Sequence, residues 1–177
     1  MKYRFETEYN LTALTAMARG LRKTVRKKRS RRSHILGWVV VVLSVMLMMS
    51  SANGSFTLNS KNTVTLLAAG AIVIALIFED KLNGYFAQKR MLKGTEKAVA
   101  VFDTDIGDAF SSRTAAGKSE FYYDNIAAIA KTKNYFVFIL SDRYGQVYDI
   151  NGLTGGTAED FSQFISEKTG KPVINAD

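Results

Sequence analysis

The chain has 177 residues, no cysteine and a single histidine, His34. Those counts exclude a disulfide framework, a thiolate metal site and any histidine-bearing catalytic triad within one chain. The formal net charge of +8 is unevenly placed: residues 1–34 hold 11 Lys or Arg against 2 Asp or Glu, and residues 98–177 hold 7 against 11. The basic balance therefore belongs to the N-terminal arm and gives no ground for a nucleic-acid-binding domain.

The arm, residues 1–34, opens with a period of two. Tyr3, Phe5, Thr7 and Tyr9 alternate with Lys2, Arg4, Glu6 and Glu8, the pattern of a half-buried strand. A lone strand is unstable, so residues 2–9 are expected to pair antiparallel with the sheet of the C-terminal tail. Asn10 suits an N-cap, and Leu11, Leu14, Ala18, Leu21 and Val25 recur at spacings of three and four. This predicts an amphipathic helix despite Gly20, with its stripe on either a bilayer or the tail. Between positions 22 and 32, eight of eleven residues are basic: Arg22, Lys23, Arg26, Lys27, Lys28, Arg29, Arg31 and Arg32. Beside an apolar span such a cluster holds its flank in the cytoplasm, and it binds anionic lipid headgroups. No aromatic residue interleaves it, which argues against nucleic acid as a partner.

Residues 35–52 and 63–78 are apolar runs without a charged residue, joined by a polar link at 53–62. Each approaches the length of a bilayer-crossing helix, so together they read as a transmembrane hairpin. A cleaved signal peptide fits poorly because 34 residues precede the first run, and a soluble helical core would need amphipathic spacing. The link carries one basic residue, Lys61, against the cluster before the first run and Lys81, Lys89, Arg90, Lys93 and Lys97 after the second. Both termini are therefore expected in the cytoplasm of a multi-pass cell-membrane protein. Gly37, Ser44 and Ser51 fall on one heptad line of the first helix, and Ala68, Ala71 and Ala75 line up on the second. Small residues on facing stripes predict the hairpin contact. No side chain in either run could relay a proton by ionising, which points to an anchor rather than a transporter.

Residues 79–94 predict a helical extension of the second span, stopped at Gly94. Over 95–177 the period turns to two, with strands expected at 97–102, 109–113, 119–123, 126–132, 135–140 and 145–150. Val99 and Val101 are expected to share one face of the first of these. The unbroken apolar run at 135–140 predicts a strand buried on both faces. Residues 151–156 form a glycine-rich loop. Thr157 then caps a last helix, with Glu159 and Asp160 in its first turn and Phe161, Phe164 and Ile165 on one face, ended by Gly170 and Pro172.

Candidate chemistry is sparse. Asp103, Asp105 and Asp108 could ligate a hard cation, but they lack the other ligands of a calcium loop and read as a turn. Gly152, Gly155 and Gly156 precede a helix, yet no Lys follows, and Glu159 and Asp160 already hold the positive end of its dipole. No catalytic spacing and no cofactor site is found.

The order N-terminal strand, two close spans, then Phe121-Tyr122-Tyr123-Asp124-Asn125-Ile126, Tyr135-Phe136-Val137-Phe138-Ile139-Leu140, a Gly-rich loop and Phe161-x-x-Phe164-Ile165 resembles the YcxB-like family of bacterial membrane proteins. The resemblance implies a bacterial membrane and a small cytoplasmic β domain, and it carries over no catalytic residue. The expected fold class is α+β: a two-helix transmembrane hairpin plus a small cytoplasmic antiparallel β domain, pleckstrin-homology (PH)-like, closed by a C-terminal helix. The expected function is non-enzymatic, presenting that domain for protein binding or envelope sensing. Alternatives are an anionic-lipid-binding module or a membrane immunity or tolerance protein. Expected partners are anionic membrane lipids and an unidentified protein.

Overall fold

The computed structural model describes residues 2–50, 60–91, 93–104 and 107–177. The chain divides into two compact units, one made of Met1–Lys27 with Asp80–Asp177, the other of Lys28–Glu79. In order, the elements are β1 (Lys2–Glu8), α1 (Leu11–Lys23), α2 (Lys27–Ser50), α3 (Ser60–Ile77), α4 (Glu79–Lys89), β2 (Lys97–Asp103), β3 (Ala109–Thr114), β4 (Gly117–Tyr122), β5 (Ala128–Lys131), β6 (Tyr135–Ile139), β7 (Gly145–Asp149), β8 (Leu153–Thr154), α5 (Ala158–Thr169) and β9 (Val173–Asn175). The fold is mixed α+β, with five helices and two sheets among the described residues.

The first sheet has the order β4-β3-β2-β1-β8 and the second β7-β6-β5-β9. The N-terminal strand joins the tail as expected: β1 runs antiparallel to β2 from Lys2↔Asp103 to Glu8↔Lys97. It also pairs with β8, through Arg4↔Thr154 and Phe5↔Leu153. Tyr3, Phe5 and Thr7 point inward and are buried, as their alternation requires. On β2, Val99 and Val101 share one face as expected. Ala98, Ala100 and Phe102 are the buried set, and Val99 and Val101 lie on the other, half-buried face. The two alanines leave room for aromatic rings, and Phe5 meets Phe102, Phe136, Tyr148 and Phe161 at centroid distances of 4.7–6.0 Å. Edge-to-face packing of this kind adds to the area the rings bury.

The run at 135–140 is buried on both faces for a visible reason. Phe136 and Phe138 of β6 enter the aromatic core between the sheets, whereas Tyr135, Val137 and Ile139 face the cluster built on Ala13, Ala16 and Leu21 of α1. The arm helix thus lies on the β domain, resolving the open choice between bilayer and tail. Asn10 caps it, accepting from the Ala13 N–H at 2.9 Å. Its buried face is Ala13, Leu14, Ala16, Ala18, Gly20 and Leu21, so Leu11 and Val25, each 41% exposed, drop out of the expected stripe. Gly20 is required here: a Cβ at that position would sit 2.9 Å from Val137 Cγ1.

Two short strands were not legible. Residues 151–156, expected as plain loop, contain β8, and β9 runs parallel to β5 beyond Pro172. The glycines of that loop serve the close passage beside β1: a Cβ would fall 2.1 Å from Glu6 O at Gly152 and 2.0 Å from Lys2 O at Gly155. The last helix follows the expectation, with a reciprocal capping box between Thr157 and Asp160 and Gly170 left-handed at φ 65°. The expected single helix over 79–94 is shorter, ending at Lys89, and Phe78 separates it from α3.

In the second unit α2 is long and apolar enough to cross a membrane. Apolar side chains point outward around it, including Leu36, Val40, Met46 and Leu47. The small-residue contact is corrected. Gly37 does meet α3, where a Cβ would lie 2.8 Å from Leu76 Cδ1, and Ser44 is half-buried. However, Ala68, Ala71 and Ala75 are on the exposed side of α3, and its covered residues are Asn62 and Ala69, with Thr65, Ile72, Val73 and Leu76 half-covered. One large side chain seated over a glycine replaces two opposed small stripes. Ser51 and most of the link at 53–62 lie outside the described residues.

Truncating the fully buried Phe5 to Ala should cost the β domain about 3–5 kcal/mol. Gly20→Ala should cost about 1–3 kcal/mol by overpacking, and adding Val137→Ala should restore part of that loss. Denaturant titration of the full chain in detergent checks both, and an additive double variant would contradict the close α1–β6 approach.

Candidate functional site

The eight basic residues form no single surface. A turn at 24–26 ends α1, so the cluster is shared between two helices. Arg22 grips Asp80 of α4 with both ends of its guanidinium, Nε to Oδ1 at 2.7 Å and Nη2 to Oδ2 at 2.6 Å. Arg19 Nε adds a second cation 3.5 Å from the same carboxylate. Lys23 donates to the backbone carbonyl of Asp177 at 3.2 Å, and Arg26 donates to that of Asp142. Arg22, Lys23 and Arg26 therefore turn to the β domain and leave the expected headgroup set. Lys27, Lys28, Arg29, Arg31 and Arg32 are exposed.

Asp80 is only 9% exposed, so it needs a partner, and a bidentate guanidinium is the geometry that compensates its desolvation. Its burial follows from how tightly α4 crosses α1. A Cβ at Gly84 would lie 2.9 Å from the Thr15 backbone nitrogen. Helix α1 is consequently held between β6 on one side and α4 on the other. In the second unit, Glu79 accepts from Ser30 at 3.2 Å and lies 2.8 Å from His34 Nε2. Two consecutive acids thus bind back to the arm and to α2. Sequence reasoning assigned neither a role; the available signal was an Asp directly after an apolar run in a chain with a distant basic cluster.

A cavity of about 540 Å³ in the β domain opens between α1, α4 and the β3–β4 hairpin. Leu14, Met17, Ala87, Met91 and Phe121 make it apolar, and Ser112, Arg143, Tyr144 and Gln146 bring polar groups to it. Beneath lies a tyrosine chain: the Tyr148 hydroxyl donates to Gln146 Oε1, and Gln146 Nε2 donates to Tyr144 Oη at 3.3 Å. Burial of its hydroxyl pushes Tyr9 up to about 12, against a hydrogen bond from the Val147 backbone that acts to lower it. Tyr123 is also raised to about 12, by burial first and then by Asp103, and its hydroxyl has no hydrogen-bond partner among the described residues. Tyr148 is also raised well above the ordinary phenol value, chiefly by complete burial. These phenols stay protonated and uncharged at neutral pH.

Of the acidic cluster, Asp103 pairs with Lys2 at 3.2 Å and Asp105 lies outside the described residues. No group of three or more potential metal ligands occurs among the described residues. No family model matches the chain, and no curated protein or solved structure matches it.

Removing one partner of the Arg22–Asp80 pair should cost about 3 kcal/mol or more, and the apolar double variant Arg22→Met/Asp80→Leu should regain most of it; chemical denaturation of the four species forms the cycle. In alkali, a folded-state phenol pKa raised above its unfolded value stabilises the fold below about pH 10, and that stabilisation is lost as pH rises. Tyrosinate absorbance should therefore show Tyr9 and Tyr123 ionising near pH 12, with unfolding setting in between pH 10 and 12. Ionisation of both at pH 10 in the folded protein would contradict the burial.

Proposed function

We propose that this chain is a non-enzymatic integral membrane protein that presents a PH-like β domain on the cytoplasmic face for binding a partner protein or sensing the envelope. One observation carries the reading. Residues before and after 28–79 belong to the same folded unit, so an excursion of 28–79 across a bilayer has to return, and the number of crossings is even. Helix α2 supplies one crossing by length and composition. Helix α3, apolar from Val64 to Ile77 apart from Thr65, supplies the other. The exposed Lys27, Lys28, Arg29, Arg31 and Arg32 favour the cytoplasmic side for both ends and would meet anionic headgroups there.

Two sheets packed over an aromatic core and closed by α5 support the PH-like reading. For partner binding the domain offers β4, the outer strand of its sheet, whose Gly117, Lys118, Ser119 and Phe121 border the cavity. An extended segment could add to that edge through backbone hydrogen bonds and place an apolar side chain in the cavity. A lipid-surface module is the second reading, favoured by the five exposed cations.

A reporter active only outside the cytoplasm should work when inserted at Ser55 and fail when fused after Asp177. Activity at both positions, or at Asp177 alone, would sink the in-out-in assignment.

A further inference from the structure

Helix α4 has two faces that the domain uses differently. Asp80, Gly84 and Ala87, at spacings of four and three, share one side, and Met91 follows just beyond the helix. Asp80 and Gly84 are buried there, and Ala87 and Met91 line the cavity. The opposite side carries Leu82, Tyr85 and Phe86, exposed by 37%, 53% and 51%, with the two rings edge to face at 5.8 Å. Three large apolar side chains on one exposed helix face need an occupant.

The chain itself narrows the choice. Only Phe78 separates the start of α4 from the end of apolar α3. If α3 spans a bilayer, α4 begins where the hydrocarbon ends. From Lys81 to Lys93 the sequence holds four cations, Lys81, Lys89, Arg90 and Lys93, and no acid. Helices that lie in a membrane interface combine such features: apolar and aromatic residues on the inserted side, and Lys or Arg near the headgroups. An aromatic ring with a hydroxyl, as in Tyr85, suits that depth because one end is apolar and the other wet.

We propose that α4 lies in the headgroup region of an anionic bilayer, with Leu82, Tyr85 and Phe86 inserted and the domain carried on its opposite side. This rests on the membrane reading given above. The occupant is the lipid leaflet itself; a second copy of the chain or a soluble partner would leave the run of cations unexplained. The close Gly84–Thr15 crossing and the Arg22–Asp80 pair then couple the interface helix to the β domain.

The test uses the full chain reconstituted in phosphatidylcholine–phosphatidylglycerol vesicles. The only tryptophan, Trp38, is changed to Phe, and a single reporter is introduced by Tyr85→Trp or, as an exposed reference on β4, Tyr122→Trp. Lipids with nitroxides at shallow depth should quench the reporter at 85 strongly, deep nitroxides weakly, and the reference at 122 hardly at all. Acrylamide should quench the reporter at 85 at least threefold less than the one at 122. Omitting phosphatidylglycerol, or introducing Lys89→Gln, Arg90→Gln and Lys93→Gln together, should reduce the protection severalfold. Equal acrylamide quenching at both positions would overturn the proposal. So would protection at 85 without nitroxide quenching that disappears as the protein is diluted in lipid, which would assign the face to a second copy. The unmodified chain separates the two layers of the argument. If Trp38 is quenched by lipid nitroxides and the reporter at 85 is not, the interfacial helix alone fails; if Trp38 also escapes, the membrane reading fails and takes the proposal with it.

Discussion

The pairing of β1 with β2 and β8 is the constraint on which the rest of the molecule depends. Seven residues at the N-terminus occupy an interior position in a sheet whose other strands all follow the apolar helices. Closing so long a loop costs conformational entropy, but that cost rises only logarithmically with length. It is offset by Phe5, completely buried among four other rings, and by a continuous antiparallel ladder. Without β1 the sheet would present an unpaired interior edge and an aromatic core open on one side.

That closure has consequences at both ends of residues 28–79. The segment must leave one folded domain and come back to it, so its geometry is restricted whatever it is inserted into. The same closure brings α1 onto the sheet and α4 onto α1. The close approaches are permitted by single missing side chains, Gly20 against Val137 and Gly84 against Thr15. Once those backbones are that near, Asp80 is excluded from water and Arg22 is drawn out of the basic cluster to meet it. A residue that composition would assign to lipid is thereby committed to internal packing.

The cavity beside β4 is a product of the same arrangement. Its walls come from α1, α4, the β3–β4 hairpin and β7, elements far apart in the chain and brought together only when both sides of the apolar insertion fold as one body. Its polar end is organised by Tyr144, Gln146 and Tyr148, which alternate on and beside one strand, and the buried Tyr148 phenol stays neutral because ionising it would place charge in an apolar interior.

Much of the fold was legible in the sequence wherever a local pattern and the final environment agree. The alternation at Tyr3, Phe5 and Thr7, the cap at Asn10, the unbroken run at 135–140, the capping box at Thr157 and the stop at Gly170 are each set by a few neighbouring residues and by backbone physics. The apolar length of α2 is likewise a property of consecutive residues. What the tertiary structure alone decided are choices between faces and between partners. Ala98, Ala100 and Phe102 rather than Val99 and Val101 turn inward because of the rings opposite them. Leu76 meets Gly37 of α2 while Ala68, Ala71 and Ala75 stay exposed, and Arg22 pairs with Asp80. Strands β8 and β9 are too short to show a period, and they exist only because β1 and β5 offer them hydrogen bonds. The candidate site belongs almost wholly to this second class, since its residues converge from segments that no sequence spacing relates.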